Sequence, residues 1–348
     1  MRTQLTSCLL LLGFISCQKS SEDLAAPLPP EGCRLQAISN TSAGGGYTSI
    51  SSKTTYEYTA QNQLFRTVYT STSKAPGSDG NSLSTVNYTY DSNGYVIQSK
   101  SEATYSYAGE YTDNIISQYT YSYKNGRLDK ETTSTTYDRI YVSASKKETT
   151  TTSGTIQYEY DGEGRLTKIT SVGNSSASGT SSSIQTFDKG KLIKRVYTSG
   201  SGPEIEDAVL NDGRIIQEKQ GSTVVRFYKY DADNHLVRQE SWENGKLFYY
   251  TEQTYDSQKS TFEATPQLFF PGWPREKSYD GARGNISNNV LLEKNIYIQA
   301  NGTTLESGNT QTTYQFNTKG FPIKQTRTGK FNSVPYTSES TYTYITCN

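Results

Sequence analysis

The feature that most limits what this chain can fold into is a short pattern that recurs along it. Two aromatic residues separated by one other residue are followed by a polar residue, a turn with Gly or Asn, and an aliphatic residue, as in residues 121–128 and 158–166. Alternation before such a turn is typical of a strand with one half-buried face, and two such strands around the turn form a β-hairpin. The pattern predicts an all-β chain built from repeated hairpins.

The pattern occurs with a short turn and with a long turn, and both predict an aromatic residue opposite an aliphatic one. In the short form, Asn125-Gly126 is a two-residue loop, so Tyr123 faces Leu128. In the long form, a three-residue loop ends in Gly, so Tyr160 faces Leu166. The two forms therefore give one rule for the register across every turn.

The rule predicts nine facing pairs and, with one further turn, about twenty strands. The nine pairs are Tyr58/Leu64, Tyr90/Val96, Tyr123/Leu128, Tyr160/Leu166, Phe187/Leu192, Leu210/Ile215, Tyr230/Leu236, Trp242/Leu247 and Phe316/Pro322. Opposite charges flank three of these turns as Asp161/Arg165, Asp188/Lys191 and Glu243/Lys246. The tenth turn, at residues 300–303, is predicted to place Ile298 opposite Leu305.

The fold predicted from this repeat is an antiparallel meander that forms one large, closed or nearly closed, barrel-like sheet. Short turns lie at one end and long Ser/Thr-rich loops at the other, as in a porin. One face carries Tyr and Leu, and the 29 tyrosines of the chain supply much of the half-buried surface. The other face carries Thr, Ser and charged residues instead of an apolar lipid-facing band, so we expect a water-soluble sheet.

The first residues predict an export signal and a lipid anchor. Arg2 precedes an apolar run at residues 8–15, which is too short to span a membrane and is typical of a signal peptide covering residues 1–16. Residues 14–17 resemble a bacterial lipobox, which predicts acylation of Cys17; a plain secretory peptide is the alternative. Residues 17–31 would then be the lipidated cysteine and a flexible tether, and residues 32–348 a single β domain.

Two cysteines remain at the extremes of the folded part. An exported protein meets oxidising conditions, so a Cys33–Cys347 disulfide is expected, with two unpaired thiols as the alternative. An antiparallel pairing that aligns the two cysteines also aligns Leu35 with Ile345. The first and last strands are therefore predicted to be neighbours.

The string at residues 158–166 resembles the tyrosine-aspartate repeats of Rhs-type proteins, and weaker copies run from Tyr56 to Tyr344. With the lipobox and the paired terminal cysteines, the chain is similar to exported bacterial lipoproteins of unknown function with a porin-like β-barrel fold. That resemblance implies the same fold and an envelope location, and no established activity. The chain departs from Rhs proteins because no toxin-like or protease-like segment follows the repeats, so an encapsulating shell is not expected.

The repeated hairpin pattern is interrupted by an irregular insertion at residues 262–290. Long irregular segments are uncommon in compact domains, so this one is either functional or a packed cap. As a binding platform it would stack a sugar on its aromatic residues and supply hydrogen bonds from its polar ones. The candidate ligand-binding residues are Phe269, Phe270, Trp273, Tyr279, Asp280, Arg283 and Asn289. The alternative is a plug that fills the concave interior of the sheet.

Catalytic motifs are not evident. His235, the single histidine, follows a turn and faces Asp231; we interpret it as an exposed turn residue. One histidine excludes multi-histidine metal sites, and no phosphate-binding loop or Gly-x-Ser-x-Gly motif occurs. The sequence therefore predicts no catalytic residue, no metal and no cofactor.

Three functions are compatible with these features. The first is a non-enzymatic lipoprotein of the cell envelope, on the outer membrane and facing the periplasm or the surface, that binds a ligand such as a glycan. The second is a structural or partner-binding module of an envelope complex, and the third is a glycosidase with two carboxylates. The formal net charge of zero argues against a nucleic-acid partner, and we expect a monomer.

Overall fold

The computed structural model describes residues 33–44, 47–75, 78–143, 146–177, 179–189, 191–199, 205–209, 214–220, 224–264, 288–299, 301–331, 334–345 and 347. The predicted signal peptide, the acylated Cys17 and the tether lie outside the described residues. Within the described ranges, no helix has the length and apolar character needed to cross a membrane.

Twenty strands and one short helix make up the described chain. The first ten strands are β1 (Arg34–Gly44), β2 (Tyr47–Tyr58), β3 (Leu64–Ala75), β4 (Ser78–Tyr90), β5 (Val96–Tyr107), β6 (Tyr111–Lys124), β7 (Arg127–Tyr141), β8 (Lys147–Tyr160), β9 (Leu166–Ser175) and β10 (Gly179–Asp188). The others are β11 (Lys191–Ser199), β12 (Ile205–Val209), β13 (Ile215–Gln220), β14 (Val224–Tyr230), β15 (Leu236–Glu243), β16 (Lys246–Tyr255), β17 (Val290–Ile298), β18 (Thr304–Phe316), β19 (Pro322–Phe331) and β20 (Val334–Ile345), with α1 (Thr261–Ala264) between β16 and β17.

All twenty strands belong to one antiparallel sheet, and each pairs with the strand before it and the strand after it. β1 also pairs with β20, so the series of pairings returns to its first strand. Edge strands expose unpaired backbone groups that invite aggregation, and each strand of the described chain has a partner on both sides. The predicted meander of about twenty strands is confirmed, as is the prediction that the first and last strands are neighbours.

The sheet has two different ends. We call the end with the β2–β3, β4–β5, β6–β7 and β8–β9 connections the turn end, and the opposite end the loop end. Successive hairpins point in opposite directions, so the Asn244-Gly245 turn between β15 and β16 lies at the loop end, as does the turn at residues 301–303 between β17 and β18. Our expectation that all ten turns share one end was wrong for these two.

Eight of the nine predicted facing pairs are confirmed. They are Tyr58/Leu64, Tyr90/Val96, Tyr123/Leu128, Tyr160/Leu166, Phe187/Leu192, Tyr230/Leu236, Trp242/Leu247 and Phe316/Pro322. The ninth is wrong: Val209, and not Leu210, pairs with Ile215, because this connection has the spacing of the long turn. The three predicted charge pairs are also aligned across their turns.

Two other registers differ from prediction by one residue. Ile298 pairs with Thr304 and not with Leu305, because the β17–β18 connection also has the long-turn spacing. Leu35 pairs with Tyr344 and not with Ile345, because the two cysteines are not directly opposite each other in the register, which places Arg34 opposite Ile345.

Bulges recur at the turn end and help the sheet to curve. In most hairpins the strand after the turn carries one unpaired residue directly after its aliphatic residue, as at Phe65, Ile97 and Thr167. A bulge bends the strand and increases its twist, and a sheet that closes on itself needs both. Phe65 and Ile97 are exposed, on the side opposite the aliphatic residue.

Because the sheet closes on itself, one of its faces lines the interior. The side that carries Tyr160 and Leu166 is the more buried of the two, so we assign it to the concave interior and call it the inner face. On β6 the residues of this face are half-buried and alternate with exposed residues of the outer face. The larger core cluster lies on the inner face and consists of Leu128, Tyr158, Leu166, Ile169, Phe187 and Leu192. A second cluster contains Cys33, Leu35, Phe321 and Ala264 of α1, so the segment after β16 reaches β1.

Tyrosine hydroxyls join neighbouring hairpins at the turn end. The Tyr160 hydroxyl donates to the Leu128 carbonyl at 2.7 Å, which links one hairpin to the hairpin before it. The same bond recurs from Tyr58 to Leu35, Tyr90 to Leu64, Tyr123 to Val96, Tyr230 to Ile215, Tyr255 to Leu236, Tyr314 to Val290 and Tyr344 to Pro322. The aromatic residue of the repeat therefore covers an aliphatic side chain and also satisfies a backbone acceptor next door.

The polar residue after the second tyrosine holds the turn together. In the long turns, Asp161 Oδ1 accepts hydrogen bonds from the backbone N–H groups of Glu163 and Arg165, and Asp91, Asp231 and Asn317 do the same in theirs. This is the Asx turn, in which a short polar side chain replaces a backbone acceptor. Gly164 then takes a φ of 78°, the left-handed conformation that glycine adopts without strain.

The insertion is a turn of the same kind that has been expanded. Tyr255 pairs with Val290, an aromatic residue facing an aliphatic one. Asp256 Oδ1 accepts hydrogen bonds from the N–H groups of Gln258 and Asn289, as Asp161 does in its own turn. The insertion therefore begins at Asp256 and leaves the register of β16 and β17 unchanged.

The Cys33–Cys347 disulfide is present, as predicted. It lies at the turn end between β20 and β1, where the other hairpins have a turn. Asn317, in the adjacent turn, donates from Nδ2 to the sulfur of Cys347. The tyrosine bonds continue on both sides of this junction, from Tyr58 to Leu35 and from Tyr344 to Pro322.

Candidate functional site: a tyrosine ladder at the loop end

Three tyrosines stand side by side on the inner face at the loop end, and we call them the tyrosine ladder. The register of β5, β6 and β7 places Tyr107 opposite Tyr111 and Tyr111 opposite Tyr141. The ring centroids are 4.7 Å apart in the first pair and 6.3 Å apart in the second, with tilted planes. Facing pairs on adjacent strands have this spacing, so the sheet itself positions the rings.

An arginine–aspartate pair lies one step further into the sheet. Arg139 donates from Nε and Nη2 to the two carboxylate oxygens of Asp113, both at 2.8 Å. The guanidinium also lies over the Tyr111 ring at 4.1 Å and over the Tyr137 ring at 5.6 Å. Because a bidentate pair fixes the plane of the guanidinium, it also fixes the tyrosines stacked on it.

This pair is charged under all ordinary conditions. The hydrogen bond from Arg139 lowers the pKa of the Asp113 carboxyl, which outweighs the opposite effect of burial. The same bond raises the pKa of Arg139. The pair therefore acts as a fixed support for the ladder and not as a proton donor.

A second charged pair lies beside the ladder. Lys146 donates to Glu148 at 2.6 Å, and Tyr141 donates to the same carboxylate at 3.1 Å. The bond from Lys146 lowers the pKa of Glu148, so this carboxylate is ionised at neutral pH.

The arrangement suits an uncharged, flat ligand. Aromatic faces supply apolar contact area, and the paired polar groups at their edges supply hydrogen bonds. A glycosidase needs one carboxyl group with a raised pKa that gives up its proton to the leaving group. The pKa values of Asp113 and Glu148 are both lowered, so this pair does not fit that chemistry.

Of the binding residues predicted in the insertion, only Asn289 is described. Phe269, Phe270, Trp273, Tyr279, Asp280 and Arg283 lie outside the described residues. The Asn289 side chain is buried, and its Nδ2 donates to the Asp256 carboxylate and to the Lys259 carbonyl. These bonds hold the base of the insertion, and a ligand-binding role for this segment stays a prediction.

His235 was expected to be exposed, and it is buried, with 5% of its surface accessible. Its ring stacks on Tyr255, with centroids 4.5 Å apart, because Tyr255 extends across β15 to reach Leu236. Nδ1 lies 2.9 Å from Asp231 Oδ2, as the predicted facing of these residues requires, and Nε2 lies 2.8 Å from Asn288 Oδ1. His235 therefore fastens the end of the insertion to the β14–β15 turn.

The protonation of His235 follows from its partners. Asn288 Nδ2 donates to the Gln258 carbonyl, which turns Asn288 Oδ1 toward the imidazole. Both ring nitrogens then face acceptors, so the imidazolium fits best. Burial lowers the pKa of His235, but the hydrogen bonds to Asn288 and Asp231 outweigh it and the net shift is upward. In the part of the chain that the structure describes, no group of His, Cys, Asp and Glu residues could hold a metal ion.

The tyrosine ladder was missed because a bulge at the turn end changes the alignment along the whole strand. Counting from Tyr123/Leu128 without a bulge would put Tyr111 opposite Ile140. The extra residue next to this pair shifts the count by one and brings Tyr111 to Tyr141 and Asp113 to Arg139. The alternating tyrosines of β6 were visible in the sequence, but their partners were not.

No protein-family model matches the chain, and no curated protein matches it. Among solved structures, the chain is similar to a porin-like protein from Bacteroides uniformis, with 13% identity over 92% of this chain and 99% of that one, at a TM-score of 0.36. It is also similar to a porin-like protein from Bacteroides vulgatus, with 13% identity over 90% and 99% of the two chains and a TM-score of 0.26. A third is CdiB from Acinetobacter baumannii, with 10% identity over 88% and 60% and a TM-score of 0.33. At these scores the likenesses carry no conclusion about function.

Proposed function

We propose that this chain is a lipid-anchored protein of the cell envelope that binds a neutral glycan at the tyrosine ladder and performs no chemistry on it. The observation that carries the proposal is the ladder itself, three rings in a row on the inner face with the Arg139–Asp113 pair behind them. Sugar rings have one apolar face and polar edges, and this site offers a matching combination. Because the neighbouring Lys146 is already paired with Glu148, an uncharged glycan is favoured over an acidic one.

Binding is tested with the mature protein purified in detergent. Affinity electrophoresis through gels that contain dextran, galactomannan or xyloglucan covers neutral polysaccharides of different shape. We expect retardation in at least one gel, and the double variant Tyr111→Ala/Tyr141→Ala is expected to lose roughly 30-fold in affinity, about 1 kcal/mol per ring.

The matched control is Tyr69→Ala. Tyr69 is a half-buried tyrosine of the inner face on β3, away from the ladder. The Tyr69→Ala variant should bind like the unaltered protein, and circular dichroism should show the same sheet content in all variants. Unchanged retardation of the Tyr111/Tyr141 variant, or no retardation in any gel, would reject the proposed site.

The location rests on Cys17. A diacyl chain and an acylated amino terminus would hold the protein on the outer membrane, facing the periplasm or the surface, without a spanning helix. Metabolic labelling with an alkyne fatty acid should label the full-length protein and not the Cys17→Ser variant. A labelled Cys17→Ser variant would place the lipid elsewhere.

A further inference from the structure

We infer that the inner face carries a second aromatic platform on β16, β17 and β18, and that one neutral polysaccharide chain is held by this platform and the tyrosine ladder together. The second platform consists of Tyr249, Tyr297 and Leu305. The inference rests on the proposed function, because it assigns the same class of ligand to both places.

The register aligns these three residues across neighbouring strands. Tyr249 faces Tyr297, and Tyr297 faces Leu305. The two tyrosine rings are 4.8 Å apart and tilted by 47°. Tyr249 lies on the same side of β16 as Tyr255, whose hydroxyl reaches the Leu236 carbonyl, so the platform is on the inner face.

The exposure of the platform sets it apart from the rest of that face. Tyr297 is 46% exposed and Leu305 is 52% exposed, although both are on the concave side. Most other exposed large hydrophobic residues among those described lie on the outer face or at bulges. Apolar area that stays accessible inside a concave sheet is typical of a surface that a ligand covers.

Polar groups under the platform are tied together. Asn295 Oδ1 accepts hydrogen bonds from the hydroxyls of Tyr249 and Thr251, at 2.6 Å and 2.9 Å. Asn295 Nδ2 in turn donates to Glu293, which also accepts from Gln253. These bonds hold Tyr249 in one orientation, as the Arg139–Asp113 pair does for Tyr111, and pre-organised rings lose little freedom when a ligand binds.

The two platforms lie across the sheet from each other. The ladder is centred on β6 and the second platform on β17, so eleven inter-strand steps separate them in one direction around the sheet and nine in the other. A ring of twenty strands, ~4.8 Å apart and tilted by ~40°, is about 40 Å across between opposite backbones. A ligand that contacts both platforms must therefore be a polymer, and a single sugar unit can occupy only one.

This geometry predicts a dependence of affinity on chain length. The polysaccharide retarded most strongly in the gels is cut enzymatically into size-selected oligosaccharides, and each size is titrated calorimetrically into the mature protein. Short oligosaccharides should bind at two sites per protein. Chains long enough to span the two platforms should bind one per protein and about 100-fold more tightly, because the second contact is intramolecular.

Variants separate this inference from the proposed function. Tyr249→Ala/Tyr297→Ala should remove the 100-fold gain for long chains and leave one site for short ones, and Tyr69→Ala should change neither. If Tyr249→Ala/Tyr297→Ala binds every length like the unaltered protein while Tyr111→Ala/Tyr141→Ala does not bind, the second platform is refuted and the proposed function stands. If Tyr111→Ala/Tyr141→Ala is also unchanged, both are refuted.

Discussion

At the turn end, the same side-chain bonds recur at nearly every hairpin, whereas at the loop end neighbouring hairpins have little in common. A tyrosine hydroxyl reaches the carbonyl of the preceding hairpin at eight places around the turn end. The loop end instead carries the tyrosine ladder on one side and the second platform on the other. The turn end therefore holds the sheet together, and the loop end is free to carry a binding surface.

The largest expected effect comes from opening the turn end at the disulfide. In the Cys33→Ala/Cys347→Ala variant, the unfolded chain regains the freedom that a loop of 314 residues removes, about 6 kcal/mol on an entropic estimate. Urea unfolding followed by tryptophan fluorescence measures the loss. An unchanged midpoint would mean that the pairing of β1 with β20 holds this junction by itself.

The next largest effect is expected when a buried side chain of the inner face is shortened, and it should exceed the effect of the same change on the outer face. Leu128 is 1% exposed within the turn-end cluster, so Leu128→Ala should lower the free energy of unfolding by about 3 kcal/mol. Ile116, on the outer face of the same sheet, is 49% exposed. Ile116→Ala should therefore change the free energy of unfolding by less than about 0.5 kcal/mol. Equal losses in the two variants would contradict the assignment of the inner face.

A smaller effect is expected from a single hydroxyl of the turn end. Tyr160→Phe removes the hydrogen bond to the Leu128 carbonyl, so urea unfolding should show a free energy of unfolding lower by about 1 kcal/mol. Tyr119→Phe, on the inner face of β6, is the control, and it should unfold like the unaltered protein.

The same tyrosines predict how the protein responds to alkali. Burial raises the pKa of Tyr58, Tyr90, Tyr255 and Tyr314 from 10.0 to about 12. The folded state then holds phenol protons that the unfolded chain releases, so stability is complete below pH 10 and falls between pH 10 and 12. Absorbance at 295 nm should show these tyrosines ionising later than the exposed ones, together with unfolding.

The smallest effect concerns His235, which joins the turn end to the insertion. Its pKa is raised in the folded state, so its contribution is present below the unfolded value of 6.5 and is lost as the pH rises through the folded value. The effect should stay below about 1 kcal/mol because Asp231 is partly exposed. NMR of the only histidine gives its pKa directly, and His235→Gln should remove this part of the pH dependence. A pKa at or below 6.5 would contradict the double hydrogen bond.

The sequence was informative where structure is local, and less so where it depends on an accumulated count. Turn chemistry depends on a few adjacent residues, so pairs such as Tyr160/Leu166 could be predicted correctly. A bulge shifts every pairing beyond it by one residue, so the partner of the distant Tyr111 could not be predicted from the turn alone. His235 was misjudged for a related reason, because Tyr255 and Asn288, which cover it, come from another hairpin.

The expanded turn at Asp256 shows what one aspartate allows. Asp256 accepts the N–H of Asn289 as Asp161 accepts that of Arg165, although 32 residues intervene in the first case and three in the second. Since the carboxylate closes the base of the turn, the length of what lies beyond it does not affect the strands. The turns at Asp91, Asp161 and Asp231 are therefore natural grafting points, where a foreign peptide could be displayed on this scaffold without re-engineering the sheet.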